Sequence, residues 1–285
     1  MSAATGIGMT VSKTMTESEF TKLRAIIYDQ TGISIGAERQ SMLMSRLNKR
    51  LRALDLATYK EYISRVQSDP VERQELTNRV TTNETYFYRT PRIWQYFRDE
   101  VVPNFAVNGP NRPLRVWSAA SSSGEEAHTA GVLLEDMRLQ TPRFDYAILG
   151  TDISSRVLEM ATEGHYVGRP VARFKEAEPE LFARHMVGDD TNGWKVKPQI
   201  KTRIRFQQHN LLGQLMNAGQ FDVVFLRNVL IYFNAKNQER ILRNIHKVMH
   251  PDGILFIGES ESLKHISTEF EQVAPIIYKP RTGGA

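Results

Sequence analysis

Small residues follow the strand predicted at 114–117, at a point where α/β folds often hold a ligand. The loop at residues 118–126 reads Ser-Ala-Ala-Ser-Ser-Ser-Gly-Glu-Glu. Such residues let the backbone approach a bound molecule closely before the next helix begins. The loop lacks the G-x-G-x-x-G pattern of a dinucleotide site. Taken alone, it is about equally consistent with an ordinary serine-rich turn.

Two further polar side chains follow later strands of the same predicted sheet. Asp152 ends the second strand, where its carboxylate could accept hydrogen bonds from both hydroxyls of a ribose. Asn210 follows the third strand, where its amide could pair with the edge of an adenine. Each also has a structural interpretation, since Asp152 could cap the helix that starts near Ser154 and Asn210 could stabilise a turn. The position of Asp152 favours ribose binding.

The fourth strand, at 221–225, is followed by Arg227, Asn228 and Tyr232 in an otherwise apolar segment. A buried arginine without a partner is costly, so this pattern favours a function over a purely structural role. Tyr232 could instead pack in the core with its hydroxyl at the surface. The segment at 81–89 combines threonines, polar groups and aromatics that suit the wall of a cleft, although a linker would also explain it.

Several classes of site are absent from the sequence. It contains no cysteine, which excludes disulfides, thiolate metal sites and cysteine nucleophiles. The histidines show no metal-ligand spacing, so no metal is predicted. A nucleophile elbow and a P-loop are also absent, which disfavours hydrolases and NTPases. No apolar stretch is long enough for a membrane helix, and residues 1–15 are interpreted as a flexible tail without a signal peptide, so a cytoplasmic location is expected.

The first part of the chain has a helical pattern. Apolar residues recur at helical spacing, which predicts a small all-α domain at residues 16–90. Its second helix carries Arg46, Lys49 and Arg50 on an arc beside the apolar face, in a segment without acids between them. Together with the net charge of +5, this arc predicts docking to an anionic partner.

A linker is predicted at 91–113, with a helix from Pro91 through Val101 that breaks at Pro103 and a turn-forming stretch at 108–113. After it, the periodicity changes. Strands are predicted at 114–117, 146–149, 203–206, 221–225 and 254–257. Strands that alternate with helices are typical of a Rossmann-like, doubly wound parallel sheet, here an α/β domain at 114–285. Between about 166 and 205 the alternation lapses, and a turn-forming sequence at 189–193 predicts an inserted small β-subdomain.

These segments, taken in order, resemble the CheR family of chemotaxis receptor methyltransferases from about residue 16 to 279. The segments that carry the resemblance are 82–89, 123–126, 150–153, 210–212, 225–233 and 252–260. The resemblance implies a class I methyltransferase domain that uses S-adenosylmethionine and releases S-adenosylhomocysteine. The family usually continues Pro-Tyr-Ser after the two glutamates, whereas this chain has Ala127, His128 and Thr129. An altered start of the following helix is therefore expected.

The resemblance also implies roles for individual residues. Arg89 and Tyr232 would flank the position of methyl transfer. The residues expected to contact the cofactor are Asn83, Thr85, Arg89, Glu126, Asp152, Asn210, Leu211, Arg227 and Asn228. A glutamate side chain ordinarily has a pKa of about 4.3, so its carboxylate is already a nucleophile at neutral pH and the reaction needs alignment more than a base. Arg89 could orient that carboxylate, and Tyr232 could donate a hydrogen bond near it.

The implied substrates are glutamate side chains in the cytoplasmic domains of chemotaxis receptors, with Arg46, Lys49 and Arg50 docking acidic receptor helices. A monomer without nucleic-acid binding or membrane insertion is expected, with recruitment to receptor arrays. Two alternatives stay open: an RNA methyltransferase, suggested by the basic helical domain, and a non-catalytic adaptor that binds S-adenosylmethionine. A nicotinamide dehydrogenase is disfavoured because the glycine fingerprint is absent.

Overall fold

The computed structural model describes residues 14–281. It divides into two compact units, one ending at Thr81 and the other beginning at Thr82. The expected domain boundary at residue 90 is therefore corrected to 81, because Phe87 and Tyr88 belong to the core of the second unit. These aromatic side chains are buried, which the sequence pattern of the segment did not distinguish from a linker.

Two other expected boundaries also change. The segment expected as a linker at 91–113 belongs to the second unit, where Trp94 and Phe97 are fully buried in the core. The helix predicted from Pro91 is present and continues past Pro103 to Asn108. The flexible tail expected at residues 1–15 lies outside the described residues up to residue 13. Met15 does not belong to a tail, because it is buried in the core of the first unit.

Four α-helices form the described part of the first unit and confirm the all-α prediction. They are α1 (Glu17–Thr31), α2 (Gln40–Ala53), α3 (Tyr59–Ser68) and α4 (Pro70–Val80), with a 3₁₀ turn at Ala37–Arg39. Local side chains explain their ends. Thr16 and Glu19 form a capping box at the start of α1, and Gly32 ends it with a φ of 74°, a left-handed conformation that costs glycine little.

Two of the three residues predicted to dock a substrate make bonds within their own unit. The guanidinium of Arg46 donates to carbonyl oxygens at the end of α4, including that of Thr81 at 3.1 Å. Arg50 pairs with Glu72, with 3.0 Å between Nε and Oε1. The interpretation of an arc away from acids is wrong for Arg50, because the tertiary fold brings Glu72 from another helix. Lys49 is exposed, and docking by the three residues stays a prediction.

The second unit is built on a central, mostly parallel sheet. Its strands are β1 (Leu114–Ser118), β2 (Tyr146–Asp152), β3 (His165–Tyr166), β4 (Met186–Asp189), β5 (Gly193–Val196), β6 (Ile204–Gln208), β7 (Phe221–Leu226), β8 (Met249–Ile257), β9 (Phe270–Ala274) and β10 (Ile277–Pro280). The central order is β6-β2-β1-β7-β8-β10-β9. In this order, the five strands β6, β2, β1, β7 and β8 run parallel to one another. This parallel arrangement confirms the Rossmann-like prediction. The antiparallel β9 and β10 were not predicted.

Helices connect these strands and cover the sheet. They are α5 (Pro91–Tyr96), a π-helical turn (Phe97–Val101), α6 (Val102–Asn108), α7 (Glu125–Gln140), α8 (Ser155–Glu163), α9 (Arg169–Ala177), α10 (Pro179–His185), α11 (Pro198–Lys201), a 3₁₀ turn (Leu230–Tyr232) and α12 (Ala235–His246). From Val223 to Leu226, β7 has no exposed side-chain surface. Such a continuous apolar run is characteristic of a parallel strand covered on both faces.

The predicted inserted β-subdomain is present as a second, antiparallel sheet in the order β3-β5-β4. Its hairpin turn is the one expected at 189–193: the Asp189 carboxylate accepts the backbone N–H groups of Thr191 and Asn192, and Gly193 has a φ of 89°. Within residues 14–281, no helix combines the length and apolar character needed to cross a membrane.

Candidate active site

The candidate site lies at the carboxyl ends of β1, β2, β6 and β7, where a doubly wound sheet binds its ligands. The loop after β1 turns sharply, with positive φ values at Ser122 and Gly124 of 49° and 94°. The backbone N–H of Ser121 donates to Thr151 O at 2.8 Å, which holds the loop against the end of β2. A Cβ on Gly124 would lie 2.8 Å from that of Ala161, so the loop can follow this path only with glycine there.

Asp152 stands at the end of β2 and is buried. One carboxylate oxygen accepts the backbone N–H of Ser122 and the other that of Ser154, both at 2.9 Å. Burial raises the pKa of Asp152, and these backbone hydrogen bonds oppose the rise. The capping interpretation is wrong in detail, because the N-cap of α8 is Ser154 and Asp152 accepts the N–H of that residue from two positions before it. A carboxylate has about four acceptor positions, so capacity also remains for a ribose hydroxyl.

Asn210 and Leu211 form a tight turn after β6. The Asn210 side chain accepts the backbone N–H of Leu212 at 3.0 Å. Asn210 therefore stabilises a turn, as one of its two interpretations predicted. Leu211 is buried. The Asn244 side chain, on α12, donates to the carbonyl oxygens of Leu211, Leu212 and Gly213. This turn is thereby held at the same edge of the sheet as Asp152.

Arg227 and Glu126 form a buried ion pair at the end of β7. The Arg227 Nη1 donates to Glu126 Oε2 at 3.0 Å, and Ser118 donates to the other carboxylate oxygen at 2.7 Å. Burial raises the pKa of Glu126, and the charge of Arg227 opposes that rise. The Arg227 Nη2 donates to the carbonyl oxygen of Arg89 at 2.6 Å. The pair therefore holds the backbone of the segment that carries Arg89.

The segment at 82–90 is fixed in an unusual conformation. Tyr88 and Thr90 have φ values of 58° and 63°, a left-handed conformation that costs non-glycine residues of order 1–3 kcal/mol each. The Tyr88 N–H donates to Thr129 Oγ1, and Trp94 Nε1 donates to Arg89 O at 2.9 Å. The side chain of Arg89 is half-buried and donates to Glu84 O at 3.2 Å.

The same segment is joined to the loop after β1. The Ser122 hydroxyl donates to the carbonyl oxygen of Asn83 at 2.9 Å. Thr85, which belongs to the same segment as Asn83 and Arg89, is half-buried. The structure thus brings together, in one unit, the backbone positions of the residues predicted to contact a cofactor. Their contacts to that cofactor stay predictions.

A buried carboxylate that sequence reasoning missed shapes the segment after β7. Glu261 accepts the backbone N–H groups of Asn228, Val229 and Leu230 at 2.8 Å each, and that of Gly258 at 2.6 Å. Asn228 has a φ of 56°. A Cβ on Gly258 would lie 2.7 Å from the Glu261 carboxylate. The sequence signal was available, because Glu261 directly follows the segment at 252–260 that was singled out.

Tyr232 follows in the 3₁₀ turn and is half-buried. Its backbone N–H donates to Val229 O at 3.2 Å. Its hydroxyl makes no hydrogen bond to the part of the chain that the structure describes. Packing of the ring could therefore explain an aromatic residue at this position, but it does not explain the hydroxyl, which has no structural role among residues 14–281.

His128 is the second residue whose role the sequence did not reveal. It lies in the first turns of α7 and is 1% exposed. The Tyr166 hydroxyl donates to Ser123 O at 2.8 Å and lies 2.7 Å from His128 Nδ1. Since the tyrosine proton is used towards Ser123, Nδ1 carries the histidine proton. Burial lowers the pKa of His128 to about 3. His128 therefore braces the loop after β1 through Tyr166, and an altered start of α7 stays a prediction.

Metal binding was not predicted, and the described residues contain no group of three or more histidine, aspartate or glutamate side chains placed to hold an ion. The residues present do fit S-adenosylmethionine. Asp152 keeps acceptor capacity for a ribose. The hydroxyl of Ser121, in the loop after β1, is buried without a hydrogen-bond partner among residues 14–281, so the loop retains polar capacity for a ligand.

The strand order β6-β2-β1-β7-β8-β10-β9, with β10 antiparallel to both of its neighbours, is that of a class I methyltransferase fold. Residues 83–278 match the family model described as CheR methyltransferase, SAM binding domain, and residues 18–81 match its all-alpha domain. The chain therefore belongs to the CheR methyltransferase family.

Curated relatives agree with this assignment. The chain is 33% identical to Chemotaxis protein methyltransferase Cher2 of Pseudomonas putida over 260 residues, covering 90% of this chain and 94% of the relative. It is 32% identical to Chemotaxis protein methyltransferase 1 of Pseudomonas aeruginosa, covering 93% and 98%. Its identity to the Chemotaxis protein methyltransferase of Salmonella typhimurium is 31%, covering 95% and 92%. The similarity therefore extends over both units and over nearly the full length of each relative.

Proposed function

We propose that the protein transfers a methyl group from S-adenosylmethionine to glutamate side chains of chemotaxis receptors and forms glutamyl methyl esters. One observation carries the proposal: the three carboxylates at the strand ends and after β8 that line the described site, Asp152, Glu126 and Glu261, are engaged within the fold. Asp152 and Glu261 accept backbone N–H groups, and Glu126 is paired with Arg227. A site without a free base suits an acceptor that is already an anion. The names of the relatives support the same substrate class.

The chemistry then depends on alignment. Bound S-adenosylmethionine supplies a methyl group on an activated sulfonium, with S-adenosylhomocysteine as product. Arg89 attracts and orients the incoming carboxylate, since it has no carboxylate partner among residues 14–281. Tyr232 donates its hydroxyl proton to that carboxylate as a hydrogen bond. Holding the two reactants in line, away from water, supplies the rate enhancement.

The other predicted residues bind the cofactor in this proposal. Asp152 accepts the ribose hydroxyls, and Asn210 and Leu211 contact the adenine side. Asn83, Thr85 and Asn228 contribute from the segments after the first unit and after β7. Arg227 and Glu126 act partly through Arg89, because their ion pair fixes the carbonyl oxygen of that residue.

The test is incubation with labelled methyl donor and cytoplasmic receptor fragments, followed by base treatment and measurement of volatile methanol. Esters release methanol and methylated RNA does not. Arg89→Ala should lower kcat/KM most. Tyr232→Phe should lower kcat by a factor equivalent to one hydrogen bond, roughly 1–3 kcal/mol, with cofactor affinity unchanged. Asp152→Ala should instead weaken cofactor binding, measured by calorimetry, by roughly the same amount.

A matched control for the hydroxyl is Tyr96→Phe. Tyr96 is half-buried and lines a cavity at the amino-terminal ends of β1, β7 and β8. The candidate site lies at the opposite, carboxyl ends of the strands. Tyr96→Phe should leave kcat and cofactor affinity unchanged. Wild-type kcat and KM in Tyr232→Phe would remove its hydroxyl from the mechanism. Cofactor binding without methanol release from any receptor fragment would favour the adaptor, and base-stable labelling of RNA would favour the RNA methyltransferase.

A further inference from the structure

Two arginines share one aromatic ring beside the candidate site. The Arg173 guanidinium carbon lies 4.3 Å from the centroid of the Tyr86 ring, and that of Arg89 lies 5.6 Å from the same centroid. Tyr86 and Arg89 belong to the segment at 82–90, whereas Arg173 belongs to α9, in the inserted region. The exposed Arg173 and the half-buried Arg89 therefore lie on one wall.

This wall carries uncompensated positive charge. Among residues 14–281, neither Arg89 nor Arg173 has a carboxylate within ion-pair distance, whereas several other arginines of the second unit do. Arg98 pairs with Glu178 at 3.1 Å, and Arg112 pairs with Asp222 at 2.7 Å. Glu178 lies directly after α9, and its carboxylate is engaged by Arg98 and by the Tyr88 hydroxyl. Contact with an aromatic ring orients a guanidinium and leaves its charge in place.

We propose that Arg173 is a specificity-determining residue that binds a second carboxylate of the protein substrate, one helical turn from the glutamate held by Arg89. The proposal rests on the proposed function. Side chains three or four residues apart on a helix have Cβ atoms about 5–6 Å apart, a spacing that two guanidinium groups around one ring can match. The preferred substrate is therefore an acidic helix with paired carboxylates, and an isolated glutamate is a poor one.

The first test compares Arg173→Gln with Arg143→Gln. Arg143 is also exposed and has no ion-pair partner among the described residues. It lies just before β2, at the end of the strands opposite the candidate site. Arg173→Gln should raise KM for a receptor fragment roughly fivefold, and Arg173→Glu roughly tenfold or more, with kcat and cofactor affinity unchanged. Arg143→Gln should match the wild type. Equal KM values for Arg173→Gln and Arg143→Gln would overturn the proposal.

The second test changes the substrate. Each acidic residue within four positions of the methylated glutamate is replaced by glutamine, and KM is measured with wild-type and Arg173→Gln enzymes. At one position the effect of Arg173→Gln should vanish, and a lysine there should restore activity to Arg173→Glu. A contact gives such coupling, while a general charge effect gives additive losses at every position. Additive losses throughout would refute the contact.

Calorimetric binding of the same receptor fragment separates this proposal from the proposed function. If the wild type released no methanol, the methyl-transfer proposal would fail by itself. Weaker binding by Arg173→Gln than by Arg143→Gln would still support recognition of acidic helices by this wall. Equal binding by the two variants would overturn it, whatever the methanol assay shows.

Discussion

Arginines serve different purposes in the two units. In the first unit, Arg46 completes the end of α4 and Arg50 pairs with the buried Glu72. In the second unit, Arg227 is likewise paired with Glu126, but Arg89 and Arg173 have no acidic partner among the described residues. A cluster of basic residues in sequence therefore does not identify free charge. The partners brought by the tertiary fold decide which arginines maintain the structure and which are available to a ligand.

The largest effect that would test this comparison is expected for Arg227→Met. The change leaves Glu126 buried without its countercharge, which should lower the free energy of unfolding by about 3–5 kcal/mol at neutral pH. The measurement is urea unfolding followed by tryptophan fluorescence. The three tryptophans, Trp94, Trp117 and Trp194, all lie in the second unit, so the signal reports that unit.

The control is the double variant Arg227→Met with Glu126→Gln. It removes the unpaired charge and should recover most of the lost stability, although not the hydrogen bond from Arg227 to Arg89 O. Methyl transfer should stay low in both variants because the Arg89 backbone is released. A stability loss below about 1 kcal/mol in Arg227→Met would show that the Arg227–Glu126 pair does not stabilise the fold more than an exposed ion pair does.

A smaller effect is expected in the first unit from Arg50→Met. Glu72 is 2% exposed and Arg50 is 24% exposed, so water reaches the pair more easily than it reaches the Arg227 pair. Loss of the countercharge should cost about 1–3 kcal/mol, measured by urea unfolding followed by far-ultraviolet circular dichroism. The neighbouring Lys49→Met is the control and should leave stability unchanged. Equal stability of the two variants would make Arg50 a free surface charge after all.

The elements of the fold were largely predictable from local signals. The capping box at Thr16, the stop at Gly32 and the proline at the start of α4 fix helix ends by interactions within a few residues. Four of the five parallel strands are mainly apolar, whereas β6 reads Ile-Arg-Phe-Gln-Gln and was recognised by its alternating pattern. The edge strand β9 was missed because its exposed polar residues, such as Glu271 and Gln272, resemble loop sequence. The buried β10 was missed because it has only four residues and no helix precedes it to mark a strand.

The candidate site was predictable in its positions more than in its contacts. Strand ends pointed to Asp152 and Arg227, because their place in a parallel sheet follows from the order of strands. The partners came from distant segments: Glu261 reaches back across more than thirty residues to Asn228, and Tyr166 reaches from the inserted sheet to Ser123. No spacing rule predicts such pairs, and the same reason explains the error at Arg50.

His128 extends the comparison to a buried base that is neutral. Its pKa is lowered to about 3 by burial, against about 6.5 in an unfolded chain. Between these pH values the unfolded chain binds a proton that the folded chain does not. Its contribution to stability is therefore complete above about pH 6.5 and is lost as the pH falls towards 3, at up to about 1.4 kcal/mol per pH unit.

The comparator is His128→Asn, which retains a donor for Tyr166 near the position of Nδ1 and does not titrate. Urea unfolding of both proteins is measured from pH 7.5 to 5. The wild type should lose stability relative to the variant only below about pH 6.5. Parallel pH profiles would mean that His128 has the same pKa in the folded and the unfolded chain, and that burial does not keep it neutral below about pH 6.5.

The smallest effect is expected for Lys49→Glu, the one predicted docking residue that is exposed and has no ion-pair partner among residues 14–281. A single exposed charge is worth about 0.2–1 kcal/mol, so KM for a receptor fragment should rise less than about fivefold and its salt dependence should flatten. Arg46→Gln is the contrasting variant. It loses hydrogen bonds to the end of α4, so its free energy of unfolding should fall while its KM stays unchanged. Unchanged KM at low salt in Lys49→Glu would mean that α2 does not dock the substrate. Free charge for recognition would then reside in Arg89 and Arg173 of the second unit, and a loss of RNA binding in the same variant would revive the RNA methyltransferase alternative.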